Sequence, residues 1–135
     1  MGQIIAYDVS VFIYVFEDNK EFYESSKKAL TPLLAGNAKG IFSSIGLIEL
    51  LTGPKKRNRG DLAFEYKQKI WDFPNLMLKN LNLNIIDLSS DLRAKYGLHT
   101  ADAVHIATAI DSGATKFYTN DKKLKAVKEI KVETL

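Results

Sequence analysis

Short apolar runs alternate with segments of helical spacing along the whole chain. Gln3 to Tyr7 (Gln-Ile-Ile-Ala-Tyr) is an apolar run of strand length that ends at Asp8. Ser10 is placed to cap a helix through Val11, Phe12, Tyr14 and Val15. Glu21 to Ala35 carries the next helical pattern, with Phe22, Ala29, Leu33 and Leu34 on its apolar side and Gly36 as its closing residue. Gly40 to Ser43 reads as a second strand. Ser44 then caps a helix from Ile45 to about Thr52, closed by Gly53-Pro54.

After a basic loop, Lys55 to Gly60, a helix is predicted from Asp61 to Trp71, and Pro74 ends it or restarts a shorter one. Leu83 to Leu88 (Leu-Asn-Ile-Ile-Asp-Leu) alternates well enough to predict a third strand. Ser90 starts a helix that stops at Gly97, and Thr100 starts another that runs to about Ser112 before Gly113. Lys116 to Thr119 is a fourth strand, Asp121 to Val127 a short helix, and Ile130 to Val132 a last edge strand. Strands separated by helices predict an α/β fold: a parallel sheet of four or five strands covered on both faces. No repeat, low-complexity stretch or linker interrupts the pattern, so residues 1–135 are expected to form a single domain.

Composition narrows the chemistry. The chain has no cysteine, which removes disulfides, thiol nucleophiles and thiolate metal sites together. That fits a cytoplasmic protein, as does an N-terminus without the pattern of a signal peptide. No apolar run approaches the roughly 20 residues of a membrane span. The net charge is +3, from 19 basic and 16 acidic side chains. Were four of those acids gathered at a site, 12 would remain against the 19 basic groups. A basic body around an acidic pocket suits a polyanionic substrate. A lysine-rich soluble surface explains the same numbers.

The acids themselves are more informative. Ligands of open parallel sheets bind beyond the carboxyl ends of the strands. Asp8 directly follows the first strand and Asp121 follows the fourth; each also opens a helix, where a carboxylate is favoured even without further function. Asp102 lies in Thr100-Ala101-Asp102-Ala103-Val104-His105, in the first turn of an alanine-rich helix capped by Thr100, so it is expected at the rim of the sheet. Glu49 is the one charge within Ile45-Gly46-Leu47-Ile48-Glu49-Leu50-Leu51. A buried Glu there needs a partner or a metal ion; an exposed one marks the solvent stripe of its helix.

Taken in order, Tyr7-Asp8-Val9-Ser10, Ile48-Glu49-Leu50, Asp102-Ala103 and Thr119-Asn120-Asp121 resemble the acidic signature of the PIN domain. The resemblance extends over essentially the whole chain, and the size is similar to that of VapC-type toxins of toxin–antitoxin pairs. Many members carry Thr or Ser where Val9 stands; Ser10 keeps a hydroxyl in the third position. The resemblance implies a three-layer α/β/α PIN-like domain and a magnesium- or manganese-dependent endoribonuclease acting as a toxin. It implies Asp8, Glu49, Asp102 and Asp121 as catalytic and metal-binding residues, supported by Ser10, Thr119 and Asn120. It also implies RNA as substrate, a protein antitoxin, and a homodimer. Charge supplies the reason for the metal. Two carboxylates about 4 Å apart repel by roughly 4 kcal/mol at an effective dielectric near 20. A hard divalent ion with oxygen ligands removes that conflict.

Other features point less sharply. His99 and His105 stand outside the acidic signature and are read as structural. Lys55, Lys56, Arg57 and Arg59 follow the Glu49 helix and are candidates for RNA phosphates, or a solvated loop. The aromatic residues Phe12, Tyr14, Phe16, Phe22 and Tyr23 suggest core or an interface. Two alternatives remain in view. One is a catalytically silent PIN fold that only binds RNA or protein, which retention of all four acids argues against. The other is a phosphotransfer domain, which would want a second Asp where Ser10 stands, or paired early acids.

Overall fold

The computed structural model describes residues 2–135. The elements run β1 (Gln3–Tyr7), α1 (Val9–Phe16), α2 (Tyr23–Leu34), β2 (Ala38–Ser43), α3 (Gly46–Lys56), α4 (Gly60–Trp71), β3 (Leu76–Lys79), α5 (Leu83–Tyr96), α6 (Thr100–Asp111), β4 (Lys116–Thr119), a short 3-10 helix (Lys122–Ala126) and β5 (Lys131–Thr134). The five strands form one parallel sheet in the order β3-β2-β1-β4-β5.

The three layers follow from the period-two pleat of the strands. Ile5 and Tyr7 of β1 and Phe42 of β2 point into a core shared with Phe12 of α1, Leu30 and Leu33 of α2, Leu50 of α3 and Tyr66 of α4. Their neighbours Ala6 and Ile41 point the other way, into a core shared with Ile85 and Leu92 of α5 and Ala103, Ile106 and Ala107 of α6. The first core is aromatic at its centre. The Phe12 ring lies 4.9 Å from Phe42, 5.6 Å from Phe73 and 5.9 Å from Tyr7, centroid to centroid. The second is built on the alanines of α6, whose small side chains bring that helix close to the sheet. The expected sheet with helices on both faces is what forms.

Several local expectations are corrected. The run Leu83–Leu88 is not a strand but the start of α5. Asn82 caps that helix, its side-chain oxygen accepting from the Ile85 N–H at 2.8 Å. The buried members Ile85, Ser89 and Leu92 recur at intervals of four and three, the helical period, whereas Leu83 and Ile86 are exposed and gave the false alternation. The third strand is Leu76–Lys79, paired with β2.

Asp8, not Ser10, caps α1, and His99 rather than Thr100 stands at the N-cap of α6. No side chain caps α3, where Ser44 was expected; the Ser43 hydroxyl accepts from the Ile45 N–H instead. The α3 helix also continues through Gly53 and a buried Pro54 to Lys56, so Lys55 and Lys56 belong to a helix rather than a loop. Pro74 does not restart a helix; it leads into β3. Helix α2 ends as expected at Gly36 and α5 at Gly97, where φ values of +77° and +69° suit glycine.

Candidate active site

The strand order creates the site. From β1 the chain moves to β2 on one side, and from β4 it moves to β5 on the other, while β1 and β4 are paired neighbours. Such a reversal leaves a crevice beyond the carboxyl ends of the two strands. Asp8 and Asp121 stand there, as the sequence suggested. Helices α3 and α6 start at this same edge. The first follows β2, and the second runs back to the amino end of β4. Their first turns carry Glu49 and Asp102.

Asp8 is buried. One carboxylate oxygen accepts from the Ser10 N–H at 2.9 Å and from the Ser10 hydroxyl, and the other accepts from the Thr119 hydroxyl. Burial pushes the Asp8 carboxyl above the usual range, while the Ser10 and Thr119 hydrogen bonds and the nearby His105 pull it back. Asp121 caps the 3-10 helix by accepting from the Lys123 N–H at 3.0 Å. Its own N–H donates to the Thr119 hydroxyl oxygen at 3.1 Å. Thr119 is fully buried, and its one hydroxyl therefore ties Asp8 to the start of the Asp121 turn.

Asp102 completes the electrostatic picture. Its carboxyl is raised first by burial and then by the charges of Asp121, Asp8 and Glu49, with His105 acting in the opposite sense. Asp102 thus lies within the field of the other three acids. Glu49 differs from its expected setting: its side chain is 47% exposed, and its nearest partner is His105, with Nε2 3.6 Å from Glu49 Oε1. The burial argument for Glu49 fails; its place at the mouth rests on proximity to Asp102 and His105. Among the described residues, no three acidic or imidazole side chains converge tightly enough to chelate an ion as they stand. The donor set itself fits a hard divalent cation, being carboxylate oxygen throughout and in mutual electrostatic conflict at Asp102.

The supporting residues divide. Ser10 and Thr119 touch Asp8 directly. The Asn120 amide donates instead to the Tyr14 hydroxyl, and Tyr14 stacks on Phe22 with centroids 4.8 Å apart. Val9 packs into the α1–α4 core, so a polar residue there would have faced the interior. The expected RNA contacts are exposed, but Arg57 lies 3.8 Å from Glu17 and Arg59 makes a 3.0 Å pair with Asp61. Phe12 lies in the core, and Phe16 packs against Tyr66 at 5.5 Å. The exposed large apolar side chains are Leu34 at the end of α2, Ile48, Phe64 and Trp71 on α3 and α4, and Met77, Leu81, Leu83 and Ile86 around β3 and the start of α5. His105 belongs to the site region, although the sequence reading gave it only a structural part. Its spacing of three from Asp102 on one helix was the available signal.

The sequence profile of the PIN domain matches residues 5–130. No curated protein sequence matches the chain. Solved structures do, at low identity. VapBC2 from Rickettsia felis, bound to a DNA fragment from their promoter, aligns with a TM-score of 0.78 at 22% identity, over 98% of each chain. DNA-bound VapBC from Salmonella typhimurium aligns at 0.73 and 16% identity, over 99% of this chain and 98% of that one. VapC20 of Mycobacterium tuberculosis, a sarcin–ricin loop cleaving toxin, aligns at 0.72 and 15% identity, over 94% of this chain and 98% of that one.

Proposed function

The chain belongs to the PIN-domain family, and on that premise we propose that it is a divalent-metal-dependent endoribonuclease that hydrolyses RNA phosphodiester bonds. The observation that carries this reading is the gathering of Asp8, Glu49, Asp102 and Asp121 at one rim, close enough that three of them raise the carboxyl of the fourth. A cleft that only bound RNA would do better without such repulsion against a polyanion.

Asp8 and Asp102 would hold the ion, with Asp121 beside them. A bound Mg²⁺ or Mn²⁺ would offset the clustered charge, activate a water and neutralise charge developing on the phosphate. Ser10 and Thr119 fix the Asp8 carboxylate by their hydroxyls. Glu49, half exposed at the mouth, would reach the ion through a water and accept that water's proton. Lys55 and Lys56, exposed at the end of α3, contact RNA phosphates in this reading.

We further propose a toxin of a type II toxin–antitoxin pair, acting in the cytoplasm as a homodimer. In support, the similar structures include VapBC complexes and a toxin that cleaves the sarcin–ricin loop. No helix among the described residues is long and apolar enough to cross a membrane. The apolar groups on α3–α4 and around β3–α5 are surfaces such partners can cover. The antitoxin would send an Arg into the carboxylates.

The test is direct. Purified protein incubated with RNA should cleave in Mg²⁺ or Mn²⁺ and stop in EDTA. Asp102→Asn should cut turnover by orders of magnitude while remaining folded. Binding of RNA without cleavage in either ion would favour a silent binding module. Cleavage unchanged in excess chelator would overturn the metal mechanism.

A further inference from the structure

His105 is 3% exposed, yet neither of its ring nitrogens has a hydrogen-bond partner. Buried imidazole nitrogens are normally satisfied. An apolar residue would fill the same space without stranding two polar atoms, so packing alone does not account for a histidine here.

The surroundings show where the ring is aimed. It lies against the Phe42 ring, with centroids 6.0 Å apart and planes 21° from parallel. It is also wedged beside the first turn of α3. A Cβ at Gly46 would stand 2.4 Å from Phe42 Cζ and 3.0 Å from His105 Cε1. The glycine is therefore what lets the start of α3 close down on the two rings. With the ring so confined, Nε2 faces Glu49 Oε1 at 3.6 Å, just beyond hydrogen-bond length. His105 also shares a face of α6 with Asp102, three residues earlier. The imidazole stands between an acid whose side chain is half exposed and the buried part of the acid cluster.

We propose that His105 is a positioning residue, whose Nε2–H holds the Glu49 carboxylate turned toward Asp102 at the mouth of the site instead of leaving it to swing in solvent. The inference rests on the proposed nuclease reading for its purpose but not for its test. An exposed Glu samples many rotamers. A confined ring nitrogen 3.6 Å away biases that freedom before any ion or substrate arrives, and a small movement closes the gap to a hydrogen bond. This is the arrangement by which outer partners of a metal site orient a ligand, and losing one weakens metal affinity about 10- to 100-fold.

Three variants separate this from a packing role. His105→Leu and His105→Phe remove both nitrogens while keeping the slot apolar and filled. His105→Gln returns an amide donor near the Nε2 position. The first readout needs no ion: ¹³C relaxation of the Glu49 side chain in metal-free protein, compared with Glu24, an exposed acid on α2. Glu49 should be markedly more ordered than Glu24 in the parent. It should fall to the Glu24 level in the Leu and Phe variants and recover in His105→Gln. The second readout is Mn²⁺ affinity of RNA-free protein. It should drop about 10-fold or more in the Leu and Phe variants, and in a Glu49→Gln background His105→Leu should lower it no further. Thermal melts in EDTA should show the apolar variants at least as stable as the parent.

The inference is overturned if Glu49 is as mobile as Glu24 in the parent. It is overturned equally if His105→Leu keeps both the order of Glu49 and the parent affinity. A parent that orders Glu49 through His105 yet binds no Mn²⁺ and cleaves no RNA would sustain the positioning role and remove the nuclease reading.

Discussion

Asp102→Asn gives the sharpest test of the acid cluster, because its effect should reverse sign when an ion is added. The carboxyl of half-buried Asp102 is raised first by burial and then by the charges of Asp121, Asp8 and Glu49. Replacing it by the isosteric amide removes three like-charge interactions. At about 0.5 kcal/mol for each partly screened pair, that relieves about 1.5 kcal/mol. The lost attraction to the N-terminus of α6 returns about 0.5 kcal/mol. The variant should therefore be more stable than the parent without metal by about 1 kcal/mol. For a chain of 135 residues, with an unfolding entropy of about 2.1 cal/mol/K per residue, that is roughly 3–4 °C in Tm. At an ion concentration 100-fold above its Kd, the parent gains about 2.7 kcal/mol. A variant bound at least 10-fold more weakly gains about 1.4 kcal/mol or less. The parent should then melt above the variant in saturating Mn²⁺ and below it in EDTA. The assay is a pair of thermal melts on each protein, with RNA cleavage alongside. Asp102→Asn melting below the parent in EDTA, or responding to Mn²⁺ as strongly as the parent does, would refute the clustered-charge argument.

The same raised carboxyls predict a pH signature. Asp8 and Asp102 titrate above the ordinary 3.8 when folded, so they subtract stability at neutral pH, and the loss is recovered as pH falls through their raised values. The stability gap between Asp102→Asn and the parent in EDTA should therefore be widest at neutral pH and close as pH approaches 4; a constant gap in melts across that range would contradict the assignment. Thr119→Val keeps the strand's shape but leaves Asp8 and the Asp121 N–H each short of a partner. It should lower stability by about 1–3 kcal/mol in denaturant unfolding and depress cleavage. Gly46→Ala forces a methyl against Phe42 and His105, and should destabilise by about 1–3 kcal/mol; a melt equal to the parent's would mean that α3 moves away freely. Ile85→Ala should lose about 2–5 kcal/mol, whereas Leu83→Ala, at an 83% exposed position, should change stability by less than about 0.5 kcal/mol. Equal effects would put α5 in the wrong register.

How much the sequence disclosed depended on whether a residue's neighbours were close in the chain. Strands β1 and β4 were legible because each is a short apolar run ending in a polar motif, and α6 because its alanines leave little else to form. The error at Leu83–Leu88 has a physical source. Leu83 and Ile86 are apolar but exposed, so the apolar pattern no longer reported the buried face. The true β3 is four residues long and only partly buried, too short for its period to declare itself. Pro54 lies buried inside α3, although a Gly-Pro pair at that spacing predicts a helix stop. At the site, the four acids were visible as residue types after strands and in first helical turns. The Thr119 bridge and the Phe42–His105–Gly46 wedge were not visible, because they join residues from different elements and exist only after the sheet closes.

The topology also accounts for how a folded chain tolerates four carboxylates on one rim. In this parallel sheet the helices that directly follow β1, β2 and β4 begin at the carboxyl edge of the strands, and α6 begins there too, so four helix N-termini collect on one rim. Here each acid sits at such a start: Asp8 and Asp121 as caps, Glu49 and Asp102 in first turns. Unpaired N–H groups at those ends offset part of the negative charge before any ion is present. The remainder is left unresolved at Asp102, whose carboxyl is raised first by burial and then by Asp121, Asp8 and Glu49; at Asp8 it is burial that raises the carboxyl. That residue of conflict is tolerable because stability is generated elsewhere, in the Phe12-centred core under α1–α4 and the alanine-lined seam of α6. The two requirements meet at α6, whose first turn holds Asp102 while its following turns form the seam. His105 lies at that junction, which is why a buried histidine there can serve the rim while packing with the core.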